Sequence, residues 1–436
     1  MRTVAAPAFV RSLSLWTALL LTACSGAEQG APESAAVPPP EAAGITVFSG
    51  ARLIVGDGTV IDDATFTVGP DNRFGIVGAT AAVTVPAGAT QIDLRGATVM
   101  PTIVDTHVHL SRDRASLEQD LRRRAYFGVS AAMSLGQDNG ADVFAVQKET
   151  LPGAALYRTA GRGITAPEPG RTDIPYWVTT PDEGRTAVRE QAALGVDIVK
   201  IWVDDRNGMY QKLQPEIYKA VIDEAHTSGL RVTAHLFNLA DAKELLRSGL
   251  DAFAHGVRDT DVDDEIVGLF RDRPGFVLVP NLPDRGVATD LGWLSGSLPP
   301  TQLAELQAAA ANDRPEVQPA FGIQARNLAR LSREGVKIAV GTDGNTPWGV
   351  HLEMADMVAA GMAPADVVVA ATRNGAEFLR LADSGTVASG KSADFIVLEA
   401  NPLDDITNTR RIRDVYLRGE RLDRAAFGAA WAASNP

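Results

Sequence analysis

The chain has 436 residues, 45% of them hydrophobic, which is enough to bury one barrel-sized core and a smaller domain. A formal net charge of −13 with no basic cluster excludes a nucleic-acid partner and describes a solvated acidic surface. Cys24 is the single cysteine, which excludes an intramolecular disulfide and leaves the fold to its core or to a metal.

At the N-terminus, Arg2 and Arg11 precede an apolar run, Leu13 to Leu21, too short for a permanent membrane span. It leads into Leu21-Thr22-Ala23-Cys24, which resembles a bacterial lipoprotein signal, cleaved before a lipid-modified Cys24. Residues 1–23 are read as that signal. Residues 24–43, rich in Ala, Pro, Glu and Gly, are read as a disordered tether. The expected address is the periplasmic face of a bacterial envelope, with membrane contact only through the lipid on Cys24. Ser25 does not suggest inner-membrane retention, so the outer membrane is the expected leaflet. An ordinary cleaved signal with an incidental cysteine is the alternative.

From Ile45 to Ile92, short β-branched runs such as Ile45–Phe48, Ala64–Val68 and Gly75–Val77 alternate with turn signals such as Gly56-Asp57-Gly58. This predicts a small antiparallel sheet domain. Gly385–Val387, Ala393–Leu398 and Ile412–Leu417 have the same texture. Residues 44–98 and 383–424 are therefore expected to complete one β-sandwich. An α/β barrel of residues 99–382 is inserted between them, and a tail of residues 425–436 follows.

The barrel region opens on Val104-Asp105-Thr106-His107-Val108-His109-Leu110, read as a buried strand. Alternate strand residues share a face, so His107 and His109 project together and can hold one metal ion, with Asp105 on the same face. Further strands are predicted at Val129–Ser134, Ala155–Thr159, Asp197–Val203, Val232–Leu236, Ala252–His255, Phe276–Pro280 and Val336–Thr342. Helical stretches separate most of them. The clearest is Gln214–Ser228, with Ile217, Val221, Ile222 and Ala225 at helical spacing and Gly229 as a stop. Eight strand–helix units with right-handed crossovers predict a (β/α)8 TIM-like barrel, whose function sits at the C-terminal strand ends.

Those ends carry the chemistry. Lys200 lies at the end of the fourth strand, His235 ends the fifth, His255 the sixth and Asp343 the eighth. With His107 and His109, four of the six histidines face one mouth, a pattern that scattered structural histidines would not give.

In these motifs and their order the sequence resembles the amidohydrolase superfamily of metal-dependent hydrolases, from about Ile45 to Leu422. Thr102 stands where that family often has Gly after Pro101. The resemblance implies that His107, His109 and Asp343 hold one divalent ion and that His235 and His255 hold a second. Lys200 would bridge them as a carbamate, because an ammonium has no lone pair to give. Zinc is the expected metal, and manganese, cobalt or iron would accept similar ligands. Two cations sharing a water lower its pKa toward a bound hydroxide, and Asp343 would pass its proton to the leaving amine.

Val232-Thr233-Ala234-His235 and Ala254-His255-Gly256 look most like the imidazolonepropionase-related and prolidase-like branch. The expected reaction is cleavage of a C–N bond in a dipeptide or N-acyl amino acid. The same site acting on a lactone, cyclic amide or phosphotriester is one alternative, and a lipid-anchored binding protein without turnover is another. A substrate carboxylate would need cationic or hydroxyl partners, for which Tyr210, Arg206, Arg162 and Arg258 are candidates. His351 is read evenly as a substrate contact or a helix cap, and His226 as structural near a helix C-terminus. Residues 282–300 are either a lid or a surface excursion, and the sequence leaves a homo-oligomer open.

Overall fold

The computed structural model describes residues 44–434, so the readings on the signal, the tether and Cys24 lie outside the described residues. Among the described residues, no helix is long and apolar enough to cross a membrane.

Strand β1 (Thr46–Ile54) turns at Asp57, whose carboxylate accepts from Thr59 N at 2.9 Å, and pairs antiparallel with β2 (Val60–Val68). Strand β3 (Phe74–Ala79) adds antiparallel to β2. The next two, β4 (Thr90–Asp93) and β5 (Thr98–Pro101), both run parallel to β1. The sheet is thus mixed, not antiparallel throughout as the sequence suggested. Residues 80–89 cross over instead of turning back, so β4 enters in the direction of β1.

The other chain end supplies β16, β17 and β18 to the same sheet, after ten intervening strands. Strand β16 is Phe395–Leu398, β17 is Ile412–Leu417 and β18 is Glu420–Arg421. The order is β18-β17-β16-β5-β1-β2-β3, with β16 antiparallel to β5 and β4 also on β1. Phe74 on β3 and Phe395 on β16 stand four strands apart, about 19 Å in a flat sheet. Their ring centroids are 5.8 Å apart. The sheet is therefore curled round an aromatic core in which Phe48 stacks on Phe66 at 4.9 Å and Phe395 on Tyr416 at 4.4 Å.

Thr102 joins this sheet to the parallel part. Its N–H donates to Asp394 O at 3.2 Å and its hydroxyl to Ser130 Oγ at 2.7 Å, which gives a side chain at this position a use. One residue later begins β6 (Ile103–Val108), so the histidine strand is anchored at its base by the sheet domain.

Strands β6, β7 (Val129–Ser134) and β8 (Leu156–Thr159) form one parallel sheet. A second, also parallel, has the order β10-β9-β11-β12-β13-β14-β15. Its strands are β9 (Ile164–Thr165), β10 (Tyr176–Trp177), β11 (Val199–Trp202), β12 (Val232–His235), β13 (Ala252–Phe253), β14 (Val277–Leu278) and β15 (Lys337–Ile338). Backbone bonds tie the two sheets at both junctions. Asp197 N donates to Thr159 O at 2.9 Å on one side, and Thr106 N to Val340 O at 2.9 Å on the other. The short pair β9 and β10 was not foreseen.

Helices alternate with these strands because the sequence starts and stops them. Pro181–Leu194 opens on a capping box between Thr180 and Glu183 and ends at Gly195, whose φ of 82° suits glycine. Pro215–Thr227 buries Ile217, Val221, Ile222 and Ala225, the face foreseen from their spacing. The stretch 282–300 is packed down. Leu291 and Leu294 are buried with Phe127 and Trp348, and Glu353 accepts from Leu282 N at 3.1 Å.

Candidate metal centre

Strand β6 delivers His107 and His109 to one face. Their Nε2 atoms lie 3.1 and 2.9 Å from the same carboxylate oxygen of Asp343. His107 Nδ1 sits 3.2 Å from Ala254 O, a contact that keeps the proton on Nδ1 and leaves the Nε2 lone pair facing Asp343. Burial, aided by Lys200, lowers the His107 pKa to about 4, so the ring is neutral and able to ligate.

Asp343 reaches back to these rings from a left-handed backbone (φ 53°), with its N–H on His107 O at 2.8 Å. Aspartate tolerates that conformation better than most residues. Burial opposes its charge, but the hydrogen bond from His109 Nε2 at 2.9 Å helps hold the carboxyl well below the usual range. Asp105, although on the strand face that leads to His107, accepts from Thr342 Oγ1 at 2.9 Å. It braces the residue before Asp343 and does not join the cluster.

His235 and His255 meet with ring centroids 4.4 Å apart, and His255 Nε2 lies 3.7 Å from the other Asp343 oxygen. Burial holds both rings neutral. Lys200 is fully buried and its Nζ has no hydrogen-bond partner. Burial lowers its pKa to about 7 against the attraction of Asp343, which makes a neutral amine accessible near neutral pH. Lys200 lies 5.6 Å from the Trp202 ring, and that ring is held by glycines. A Cβ on Gly136 would stand 2.5 Å from Trp202 Cη2, and one on Gly163 would overlap Trp202 Cζ3.

The donors fit metal ions. His107, His109 and Asp343 offer ligand atoms within 4.8 Å of one another. His107 Nε2, both His255 nitrogens and Lys200 Nζ are buried without hydrogen bonds. Buried polar atoms left unpaired are costly, and imidazole nitrogens with a carboxylate are what zinc and its first-row neighbours take. A cavity of about 720 Å³ lies beside the cluster, lined by His109, Ser111, Arg112, Gln137, Asn139 and Asn345 among others.

Other residues singled out from the sequence are placed less centrally. Arg206 lies between Asp204 (2.7 Å) and Glu168 (3.1 Å), with Nη1 2.9 Å from His235 Nε2. Arg162 directs Nε to Ile174 O and stacks on Tyr176 at 3.9 Å. Tyr210 donates to Pro169 O at 3.1 Å. Arg258 lies over the Phe237 ring at 3.4 Å. His351 does not reach the cluster. It is buried between Thr409 Oγ1 (3.1 Å) and Phe127 O (3.0 Å), so the substrate half of its reading finds no support in the geometry. His226 pairs with Asp251 at 2.9 Å. The sequence reading missed Asn281, whose Nδ2 packs 2.5 Å from His107 Nδ1 and donates to Ala254 O. Its position at the exit of the seventh strand was the signal that could have found it.

Residues 98–422 match the family model described as "Amidohydrolase family". The chain belongs to the amidohydrolase family. It is a hydrolase acting on C–N bonds, in a family that depends on metal. Over 421 residues this amidohydrolase is 26% identical to an ochratoxinase of Aspergillus niger, covering 83% of this chain and 82% of the relative. It is 27% identical over 402 residues to an imidazolonepropionase of Deinococcus radiodurans, covering 84% and 94%. Among solved structures it resembles a putative prolidase from Bifidobacterium longum, with a TM-score of 0.71, 27% identity and coverage of 87% and 95%.

Proposed function

We propose that this amidohydrolase cleaves the amide bond of a dipeptide or N-acyl amino acid at a dinuclear centre. The reading takes the eight strands β6, β7, β8 and β11 to β15 as a closed (β/α)8 barrel. The backbone bonds at both sheet junctions support it. His107, His109 and Asp343 would hold one ion, His235 and His255 the other, and a carbamate on Lys200 would lie between them.

The observation that carries this is Lys200, a fully buried lysine whose Nζ has no partner, set among neutral imidazoles. An unpaired ammonium there would be strongly unfavourable. A neutral amine can instead take up carbon dioxide and release a proton. The resulting anion matches a site that would otherwise carry an unbalanced excess of cations. Two divalent ions, zinc in this reading, would supply Lewis acidity and make a water acidic enough to attack. Asp343, held ionised, takes the proton from the attacking water and returns it to the leaving nitrogen as the C–N bond breaks. Ala254 O, facing Nδ1, favours the His107 tautomer that the cluster needs.

The test is a survey of dipeptides and N-acyl amino acids for release of free amino groups, with zinc and bicarbonate supplied. Metal content per chain is measured alongside. Activity that disappears in Lys200→Ala, together with loss of metal, is expected. A chain that binds metal but cleaves none of these compounds would move the substrate to lactones, cyclic amides or phosphotriesters. The lipid anchor remains a reading of residues 13–24 alone. It predicts that the mature chain partitions with membranes and that Cys24→Ser releases it.

A further inference from the structure

The four carboxylate-binding candidates differ in what their donors already do. Arg206 has its charge met twice, by Asp204 and by Glu168, which is itself buried. One nitrogen, Nη2, is left over, but no unbalanced charge goes with it. Arg162 spends its guanidinium on the carbonyls of Asp173, Ile174 and Pro175. The Tyr210 hydroxyl already donates its hydrogen bond to Pro169 O. Arg258 is different. It is half-buried, its Nε is shut off from solvent without a partner, and among the described residues it pairs with no carboxylate.

The acidic groups that attract Arg258 are Asp343 and Asp204, and both are engaged elsewhere. Asp343 serves the histidine cluster and Asp204 serves Arg206 and His235. What positions Arg258 is the Phe237 ring beneath it, 3.4 Å from its Cζ. That ring packs against His235 at 4.5 Å and His255 at 5.1 Å. A planar cation is thus stacked one aromatic ring away from two of the candidate ligands. Stacking fixes the fork while leaving its edge free to accept a carboxylate in two parallel hydrogen bonds.

We propose that Arg258, stacked on Phe237, is the receptor for a free carboxylate of the substrate and so makes this hydrolase select acids over neutral amides. This rests on the reading of the site as a C–N hydrolase and narrows its substrate class. A half-buried cation lacking a counter-ion is tolerated when the ligand supplies one. Removing one member of such a desolvated pair weakens binding by about a hundredfold.

The experiment pairs N-acetyl-L-leucine with N-acetyl-L-leucinamide, identical except for the charge. Binding to the zinc-loaded protein is measured by calorimetry, and amide cleavage is measured in parallel. Wild type is expected to prefer the acid by about tenfold or more, with the difference expressed in KM more than in kcat. Arg258→Met should bring the two compounds to within about threefold, and Arg258→Lys should keep an intermediate preference because it retains charge but not the fork. Equal binding of the two compounds by wild type, no measurable binding of the acid, or a preference that survives in Arg258→Met would overturn the assignment. Wild type alone decides the first two outcomes, so a poorly folding variant does not blunt the test. Preference for the acid without cleavage of any amide would instead overturn the proposed reaction and leave the receptor standing.

Discussion

Gly136 offers the sharpest test of how Lys200 is held. Its φ of 93° disfavours any side chain, and a Cβ there would lie 2.5 Å from Trp202 Cη2 and 2.8 Å from Lys200 Cγ. In Gly136→Ala the backbone term costs about 1–2 kcal/mol, and forcing a methyl into a closed contact adds about 1–3 kcal/mol. The ring cannot retreat, because Gly163 lies close against it. Lys200 must therefore shift, and a shift of about 1 Å in a positioned group costs about a hundredfold in rate. Gly140 is the control. It has nearly the same φ, 95°, and nothing within 4 Å of its would-be Cβ. Gly140→Ala should pay the backbone term, with at most about 1 kcal/mol more for its place before the helix Ala141–Gln147. Denaturant melts of both variants give the stability difference, and kcat with bound metal per chain gives the functional one. Equal losses in the two variants would mean that Gly136 serves only its backbone, and the argument for a packed Lys200 would fail.

On the proposed reading Asp343 is both proton carrier and cluster ligand, so in Asp343→Asn kcat should fall by about a thousandfold or more, with bound metal reduced. Full metal binding with rates near wild type would exclude Asp343 from both roles. Arg206→Met strands Glu168, a buried carboxylate whose partners in the structure are Arg206 and the more exposed Arg171. Thermal unfolding should show a loss of about 3 kcal/mol or more, and a melting temperature close to wild type would count against the bridge. His351→Gln tests the structural placement of that ring. Burial lowers its pKa from 6.5 to about 4, so below pH 6.5 the unfolded chain takes a proton that the folded one refuses. Wild-type stability therefore falls as pH drops from 6.5 toward 4, by up to about 3 kcal/mol from this group. The variant lacks this loss, so its deficit at pH 7.5 should shrink in acid while KM stays put. A constant deficit across that range would contradict the burial argument.

The cluster histidines and Lys200 were exposed in the sequence by lying in or just past a strand, whereas Asp343 reaches the cluster from a left-handed loop beyond β15. His107 lies in β6 and His109 just past its end on the same side, as strand alternation predicts, and His235 closes a run read as a strand. Lys200 is legible for the same reason. The parallel pairing of β4 and β5 to β1 was not, because β-branched texture carries no direction and the deciding crossover has no distinctive composition. His351 shows the limit on a helix. The segment Gly349–Ala359 buries residues on more than one side, so periodicity does not say which neighbour its ring meets.

The four carboxylate-binding candidates show the same limit for charge. Their sequences differ little in kind, and each is a donor in a loop after a strand. What separates them is whether the fold has already supplied a counter-charge or a carbonyl, and that depends on partners as distant as Glu168 for Arg206 or Asp173 for Arg162. A surface arginine can be neutralised by water and salt, so its lack of a partner means little. Arg258 is shut from water on one edge and lies on an aromatic face, so its missing counter-charge is information about the ligand. On the proposed reading, the reaction rests on atoms that lack partners inside a histidine cluster, and the choice of substrate on a cation that lacks one just outside it.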